Sequence, residues 1–266
     1  MALVSFVSHR GSPGTTVLSF AVAAAWPTSG EQKKVFVEAD PAGGVLALRL
    51  GIPEDPGLVS LAAAARHGLG RSDLWDHAQA LPGGLPVVPA PPSIAVASQL
   101  LATSSAGLGQ WFADLGDVVV IADAGRLSPA SESTRLVRAS DLVVMVAAPV
   151  ADQLHAGAQQ LATIQPTTNV GWCLVGRGTY EPAAVEDAYG VPVLGTVPQD
   201  VRGAEMLFSG SSTKKLGRTP LVRAATTLAD HLTPWLDRRS GVEEPRRSNG
   251  SDHAETEIAD STRATT

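Results

Sequence analysis

The stretch that decides the fold is VSFVSHRGSPGTTVLSFAVAAA, residues 4–25. It reads as a short apolar strand over 3–7, a turn His9-Arg10-Gly11-Ser12-Pro13-Gly14, and a helix that opens at Thr15-Thr16 and stops before Pro27. A glycine-bearing turn between strand and helix aims backbone N–H groups and the helix N-terminus at one spot, which suits an anion. The common phosphate-loop pattern is G-x-x-x-x-G-K-[ST]. Gly14 holds its helix-side glycine position and Thr16 its hydroxyl position, whereas Thr15 stands where the pattern has lysine. The cradle is present, and the cation that reaches the phosphates is replaced.

Outward from this stretch the chain alternates strand and helix. Further strands are expected over 33–39, 85–89, 118–122, 142–148, 170–175 and 193–197. Helices are expected over 45–50, 58–67, 71–80, 93–115, 131–139, 151–164, 182–189, 204–208 and 219–236. The run VVVIA at 118–122 is apolar throughout, as a central parallel strand covered on both faces requires. Such alternation predicts an α/β fold with a mostly parallel central sheet and helices on both faces. One domain is expected over 1–237. From Arg238 the composition turns to Arg, Ser, Glu, Asp and Thr, so 238–266 is expected to be a disordered polar tail.

Composition narrows the class. The 266 residues are 44% hydrophobic, enough for one large core. A formal net charge of −6 provides no general basic field, so direct reading of nucleic acid is not expected. The single cysteine, Cys173, excludes an internal disulfide and fits a reducing cytoplasm. No stretch reads as a transmembrane helix or a signal peptide. His67, His77 and His155 are not at metal-ligand spacing, and the Lys214-Lys215 and Arg218 cluster reads as a solvated basic turn.

Sites in open parallel sheets lie beyond the carboxyl ends of the strands. Three such ends carry chemistry here. The loop from Arg10 to Thr16 offers N–H donors and a hydroxyl. Asp40 follows the second strand, where it can orient an attacking water. Asp123 ends the apolar run, as a magnesium-nucleotide site asks of its acidic strand, and Thr16 can supply a hydroxyl to the same magnesium. Gly125 can place a backbone N–H near a γ-phosphate.

These segments resemble the MinD/ParA family of deviant Walker A ATPases over nearly all of residues 2–236. The family loop reads K-G-G-x-G-K-[ST]. Arg10 falls at its signature lysine, Gly11 and Gly14 match, Ser12 replaces a glycine, Thr15 replaces the Walker lysine, and Thr16 matches. VEADPAGG resembles the D-x-D-P-x-G turn, with Glu38 and Asp40 at its acidic positions, and VVVIADAGRLSP resembles the Walker B and switch II region. ASDLVVMVAAPVADQLHAG resembles the strand and helix that follow, and VPVLGTVPQDVRGAEMLFSG the last strand and the loop near the adenine, with Pro198 and Asp200 as candidates there.

The resemblance implies a P-loop NTPase fold. It implies ATP bound by Arg10, Gly11, Gly14, Thr15, Thr16, Gly125, Pro198 and Asp200, Mg2+ held by Thr16 and Asp123, and Asp40 as the catalytic residue. It also implies a homodimer and a protein partner from a pilus or secretion, division or partitioning system. The location it implies is cytoplasmic, with recruitment to a membrane assembly through that partner. The pilus-assembly localisation members of tight-adherence secretion systems look nearest. Three departures bear on activity: Thr15, the donor lost at Pro13, and Gly176-Arg177 where the family has a base-reading Asn. They favour a nucleotide-binding positioning protein with weak or absent hydrolysis. An active, ATP-hydrolysing and ATP-dimerising partitioning ATPase is the alternative.

Overall fold

The apolar runs become strands and the segments between them become helices. The computed structural model describes residues 2–11, 13–28, 32–209 and 213–237. In chain order the elements are β1 (Ala2–Ser8), α1 (Thr15–Ala25), β2 (Lys33–Glu38), α2 (Leu46–Leu50), α3 (Leu58–Ala65), α4 (Asp73–Asp76), β3 (Gln79–Ala80), β4 (Pro86–Val88), α5 (Ile94–Ala113) and β5 (Val118–Arg126). The second half adds α6 (Thr134–Arg138), β6 (Leu142–Ala147), α7 (Ala151–Ala162), β7 (Asn169–Val175), α8 (Pro182–Tyr189), β8 (Val193–Val197), α9 (Val201–Phe208), α10 (Thr213–Leu216) and α11 (Pro220–Asp237). The expected tail at 238–266 lies outside the described residues, as do Ser12 and the side chain of Lys214.

The strands form one sheet in the order β3-β4-β2-β5-β1-β6-β7-β8. Every neighbouring pair is parallel except β3 with β4. The mostly parallel α/β architecture expected from the sequence is therefore present. Two expectations in the first half of the chain change. The helix expected over 71–80 contracts to the four residues of α4, and Gln79–Ala80 turns into an antiparallel edge strand on β4. The strand expected to end at 122 continues through Asp123 to Arg126, because β1 and β2 pair with it past the apolar run.

Period-2 alternation assigns each strand residue to one of two cores. On one face Leu3 and Val7 of β1 and Val120 and Ala122 of β5 pack with Leu101, Leu108 and Phe112 of α5. On the other, Val4, Phe6, Val119 and Ile121 pack with Leu18 and Val22 of α1 and Leu228 and Leu232 of α11. Asp123 follows Val119 and Ile121 at the same parity, which puts a carboxyl on the α1 side of the central strand. Helix α1 ends where Pro27 forces the preceding residue out of helical geometry, with Trp26 at φ −55° and ψ 125°. The Lys34 ammonium donates to the Ala24 and Trp26 carbonyls at 2.8 and 2.9 Å and so caps the free end of that helix. Cys173 is buried, and burial pushes its thiol up to about 12, which makes it a packing residue.

Candidate functional site

The site forms where β1, β2 and β5 end together on one edge of the sheet. The loop between β1 and α1 turns on Gly11 and Gly14, at φ +70° and +85°, left-handed values that an L side chain resists. Gly14 caps α1 and, having no side chain, offers the helix's first N–H groups no cap hydrogen bond. The first intrahelical bond runs from the Leu18 N–H to the Gly14 carbonyl at 2.9 Å. The N–H groups before it lack intrahelical partners and face the loop, with no acidic residue in the first turn to quench the helix dipole. Gln153 of α7 braces the loop: its Oε1 accepts the Ala148 N–H at 2.9 Å, and a Cβ on Gly11 would sit 2.7 Å from its Nε2.

Thr15 and Thr16 point to different places. Thr15 is only 7% exposed, and its hydroxyl is buried without a hydrogen-bond partner. It takes the lysine's position in sequence without the lysine's reach. Thr16 is half-buried and its hydroxyl helps hold the charge on Asp123. Asp123 itself is 1% exposed. Its Oδ1 accepts the Gly125 N–H at 3.1 Å, and its Oδ2 has no hydrogen-bond partner among the described residues. Burial, together with the Asp40 and Glu38 charges, pushes the carboxyl up to about 7 against the opposing Thr16 hydroxyl and Gly125 N–H. The Gly125 N–H is thus engaged by Asp123 and is not directed outward.

Asp40 stands at the rim. Its Oδ1 accepts the Ala42 N–H at 2.8 Å, an Asx turn that fixes the carboxyl. A Cβ on Gly125 would land on this carboxylate, so Gly125 is the residue that lets Asp40 approach Asp123. Burial raises the Asp40 carboxyl, while the Ala42 N–H and the Arg126 guanidinium oppose that rise. Glu38 is a scaffold residue. Its Oε1 accepts the Val45 and Leu46 N–H groups at 2.7 and 3.2 Å, and its Oε2 accepts the Ala90 N–H at 3.0 Å.

On the other side of the loop lies a cavity of about 330 Å³, walled by Gly14, Val17, Val175, Pro198 and Gln199. Asp200 also lines it, but its carboxylate is fixed: Oδ1 accepts the Gly203 N–H at 2.8 Å and Oδ2 the Leu221 N–H at 3.1 Å. It joins the starts of α9 and α11 and so holds the cavity wall. Gly176 follows the lining residue Val175, and a Cβ there would lie 3.7 Å from the Gln199 side chain.

The structure therefore gathers Gly11, Gly14, Thr16, Asp40, Asp123 and Gly125 at one edge, with Pro198 and Asp200 across the adjoining cavity. Arg10 is exposed on the loop, and Thr15 turns inward. Three contributors carry no sequence signal of their own: Gln153, Gln199 and Arg126, each placed by a contact from a distant part of the chain. Among the described residues no group of three or more His, Cys, Asp and Glu side chains is placed to cage a metal. One unpartnered carboxylate oxygen beside a threonine hydroxyl instead fits Mg2+, which keeps waters and takes phosphate oxygens alongside one or two protein ligands. The open loop donors and the adjoining cavity fit a nucleotide.

No family model matches the sequence, and no curated protein matches it. Solved structures do. A ParA-family ATPase from Chlorobium tepidum TLS superposes with a TM-score of 0.70 at 21% identity, over 87% of this chain and 98% of that one. The septum site-determining protein MinD from Pyrococcus horikoshii OT3, complexed with Mg-ADP, gives a TM-score of 0.67 at 18% identity, over 91% and 98%. The MinC:MinD cell division complex of Aquifex aeolicus gives 0.65 at 13%, over 88% and 96%. At these identities the likeness establishes the fold: this chain has the α/β architecture of the MinD and ParA ATPases. Among the described residues no helix is long and apolar enough to cross a membrane.

Proposed function

We propose that this protein is a MinD/ParA-like nucleotide-binding protein that positions a cellular assembly, with weak or absent ATP hydrolysis. The observation that carries the reading is the buried, half-partnered Asp123 beside Thr16, under a glycine loop whose helix N-terminus is uncapped. Two of the similar structures support the nucleotide and the partner: one MinD holds Mg-ADP and another is complexed with MinC.

In this reading the loop N–H groups bind the phosphates, and Thr16 and Asp123 hold the magnesium. The 330 Å³ cavity takes the base. Bound Mg-ATP supplies an electrophilic γ-phosphorus and a cation that neutralises charge developing on it. Asp40 orients the water. The weak point is Thr15, because its inward hydroxyl gives no charge to the β- and γ-phosphates, and electrostatic stabilisation is a large part of phosphoryl-transfer catalysis. We place the protein with the pilus or secretion branch of the positioning proteins on its overall sequence resemblance, recruited to a membrane assembly through its partner. Retention of Asp40, Asp123 and Thr16 argues for nucleotide binding under either reading, the alternative being an active ATPase that dimerises on ATP.

Turnover decides between the two. Phosphate release by the purified chain with Mg-ATP is expected to stay at background, and Asp40→Ala to leave it unchanged. Sustained release that Asp40→Ala abolishes would replace the scaffold reading with the ATPase reading.

A further inference from the structure

Beside Arg10 the loop lacks the lysine that Thr15 replaces, yet a second arginine stands over it. Arg126 is the last residue of β5, exposed, and one position beyond Gly125. The pairing of β1 with β5 shifts between Phe6 and Ser8, so that Ser8 comes opposite Arg126 at the point where the loop begins. The backbone there is held on both sides: the Leu127 N–H donates to the Ser8 carbonyl at 2.7 Å, and the His9 ring Nδ1 lies 2.7 Å from the Leu127 carbonyl. From this anchored position the Arg126 side chain crosses to the loop, where Nη2 donates to the Gly11 carbonyl at 3.3 Å. It is also close enough to Asp40 to favour that residue's ionised form.

From this geometry we infer that Arg126 is a phosphate-binding cation of the site, supplied by the acidic strand's end in place of the lysine that Thr15 removes. The guanidinium bonds the loop at Gly11 and from there acts on the Asp40 charge. An arginine carries five N–H donors in a planar fork, and a single 3.3 Å bond to a carbonyl occupies one of them weakly. The others match the oxygens of a nucleoside di- or triphosphate, which a guanidinium binds in bidentate fashion. The side chain also explains how Thr15 is tolerated: the charge is moved to a neighbouring strand, and the loop lysine becomes dispensable for binding.

The inference rests on the nucleotide reading above, and the test separates the two. ATP, ADP and AMP are titrated with magnesium into wild type, Arg126→Ala, Arg126→Lys and the double variant Thr15→Lys/Arg126→Ala, by calorimetry and by nucleotide-induced thermal shift. Arg126→Ala is expected to weaken ATP and ADP roughly 10- to 100-fold, the range for one charge-assisted contact, and AMP much less. Arg126→Lys is expected to keep part of the affinity, and Thr15→Lys to restore ATP binding in the double variant. Wild-type affinity for ATP in Arg126→Ala would overturn the inference and leave the nucleotide reading standing. An equal loss for all three nucleotides, with a lowered melting temperature, would make Arg126 a latch for the loop and also overturn it. Absence of ATP binding in wild type would remove both.

Discussion

Glu38 at the end of β2 and Asp123 on β5 are register partners on neighbouring strands, and each is 1% exposed. Both carboxyls are pushed up by burial. They differ in what meets them. Glu38 accepts three backbone N–H groups, from Val45, Leu46 and Ala90, and so ties β2 to the start of α2 and to the segment after β4. Asp123 accepts one N–H, from Gly125, and keeps an oxygen without a partner. Burial alone therefore does not mark a site. A buried acid whose lone pairs are filled holds the scaffold, and one left partly unfilled beside an open loop is available to a ligand.

Removing the filled carboxylate should have the largest effect. Glu38→Ala leaves three N–H groups without their acceptor, and the expected loss of stability is on the order of 5 kcal/mol, read from urea unfolding at neutral pH. A loss below ~1 kcal/mol would show that water or a local shift replaces the carboxylate, and the contrast with Asp123 would weaken.

The second difference is in pH. Below about pH 4 Asp123 is protonated both folded and unfolded. Between there and pH 7 the unfolded chain has released its proton while the folded chain, with the carboxyl up at about 7, still holds one. The unfolded state then binds fewer protons, so the stability of the nucleotide-free chain falls as pH rises through this window, by no more than ~4 kcal/mol from this group. Asp123→Asn should flatten the profile and raise stability near pH 7. The residual slope belongs to Glu38 and Asp40, whose carboxyls burial also raises. A profile for Asp123→Asn that matches wild type would mean that Asp123 is already ionised and satisfied in the folded chain.

Gly125→Ala probes the closeness of the two site acids. The residue has φ +68°, and a Cβ there falls on the Asp40 carboxylate. Roughly 2 kcal/mol of destabilisation is expected in thermal or urea unfolding, from the backbone alone and from the displaced Asp40. Unchanged stability would show that the Asp40 turn moves aside freely.

Much of this arrangement is legible in the sequence, for a physical reason. Runs such as VVVIA at 118–122 and LVVMVA at 142–147 are apolar on both faces, which only a covered parallel strand accommodates, so the alternation and the central sheet follow from local pattern. Gly11, Gly14, Thr16, Asp40 and Asp123 are likewise visible as residues at strand ends. What is not legible depends on pairing between distant segments. Gln79–Ala80 is a strand only because β4 pairs with it, and nothing in 71–80 separates that from a helix. The polar end of β5 has no hydrophobic period, so its continuation to Arg126 is fixed by β1 and β2 instead. Glu38 shows its role only through donors 7, 8 and 52 residues away. Thr15 announces a missing charge, while the arginine that faces the same loop is 115 residues from Gly11 in the chain.

On the proposed function, Asp123 is kept partly unfilled for a magnesium-bound nucleotide. The most direct measurement is calorimetric titration of ATP into wild type and Asp123→Ala, each with and without magnesium. Wild type is expected to bind ATP with an affinity that magnesium strengthens, and Asp123→Ala to lose the magnesium dependence and bind at least roughly tenfold more weakly. Magnesium-independent binding unchanged by the substitution, or no binding up to millimolar ATP, would contradict it.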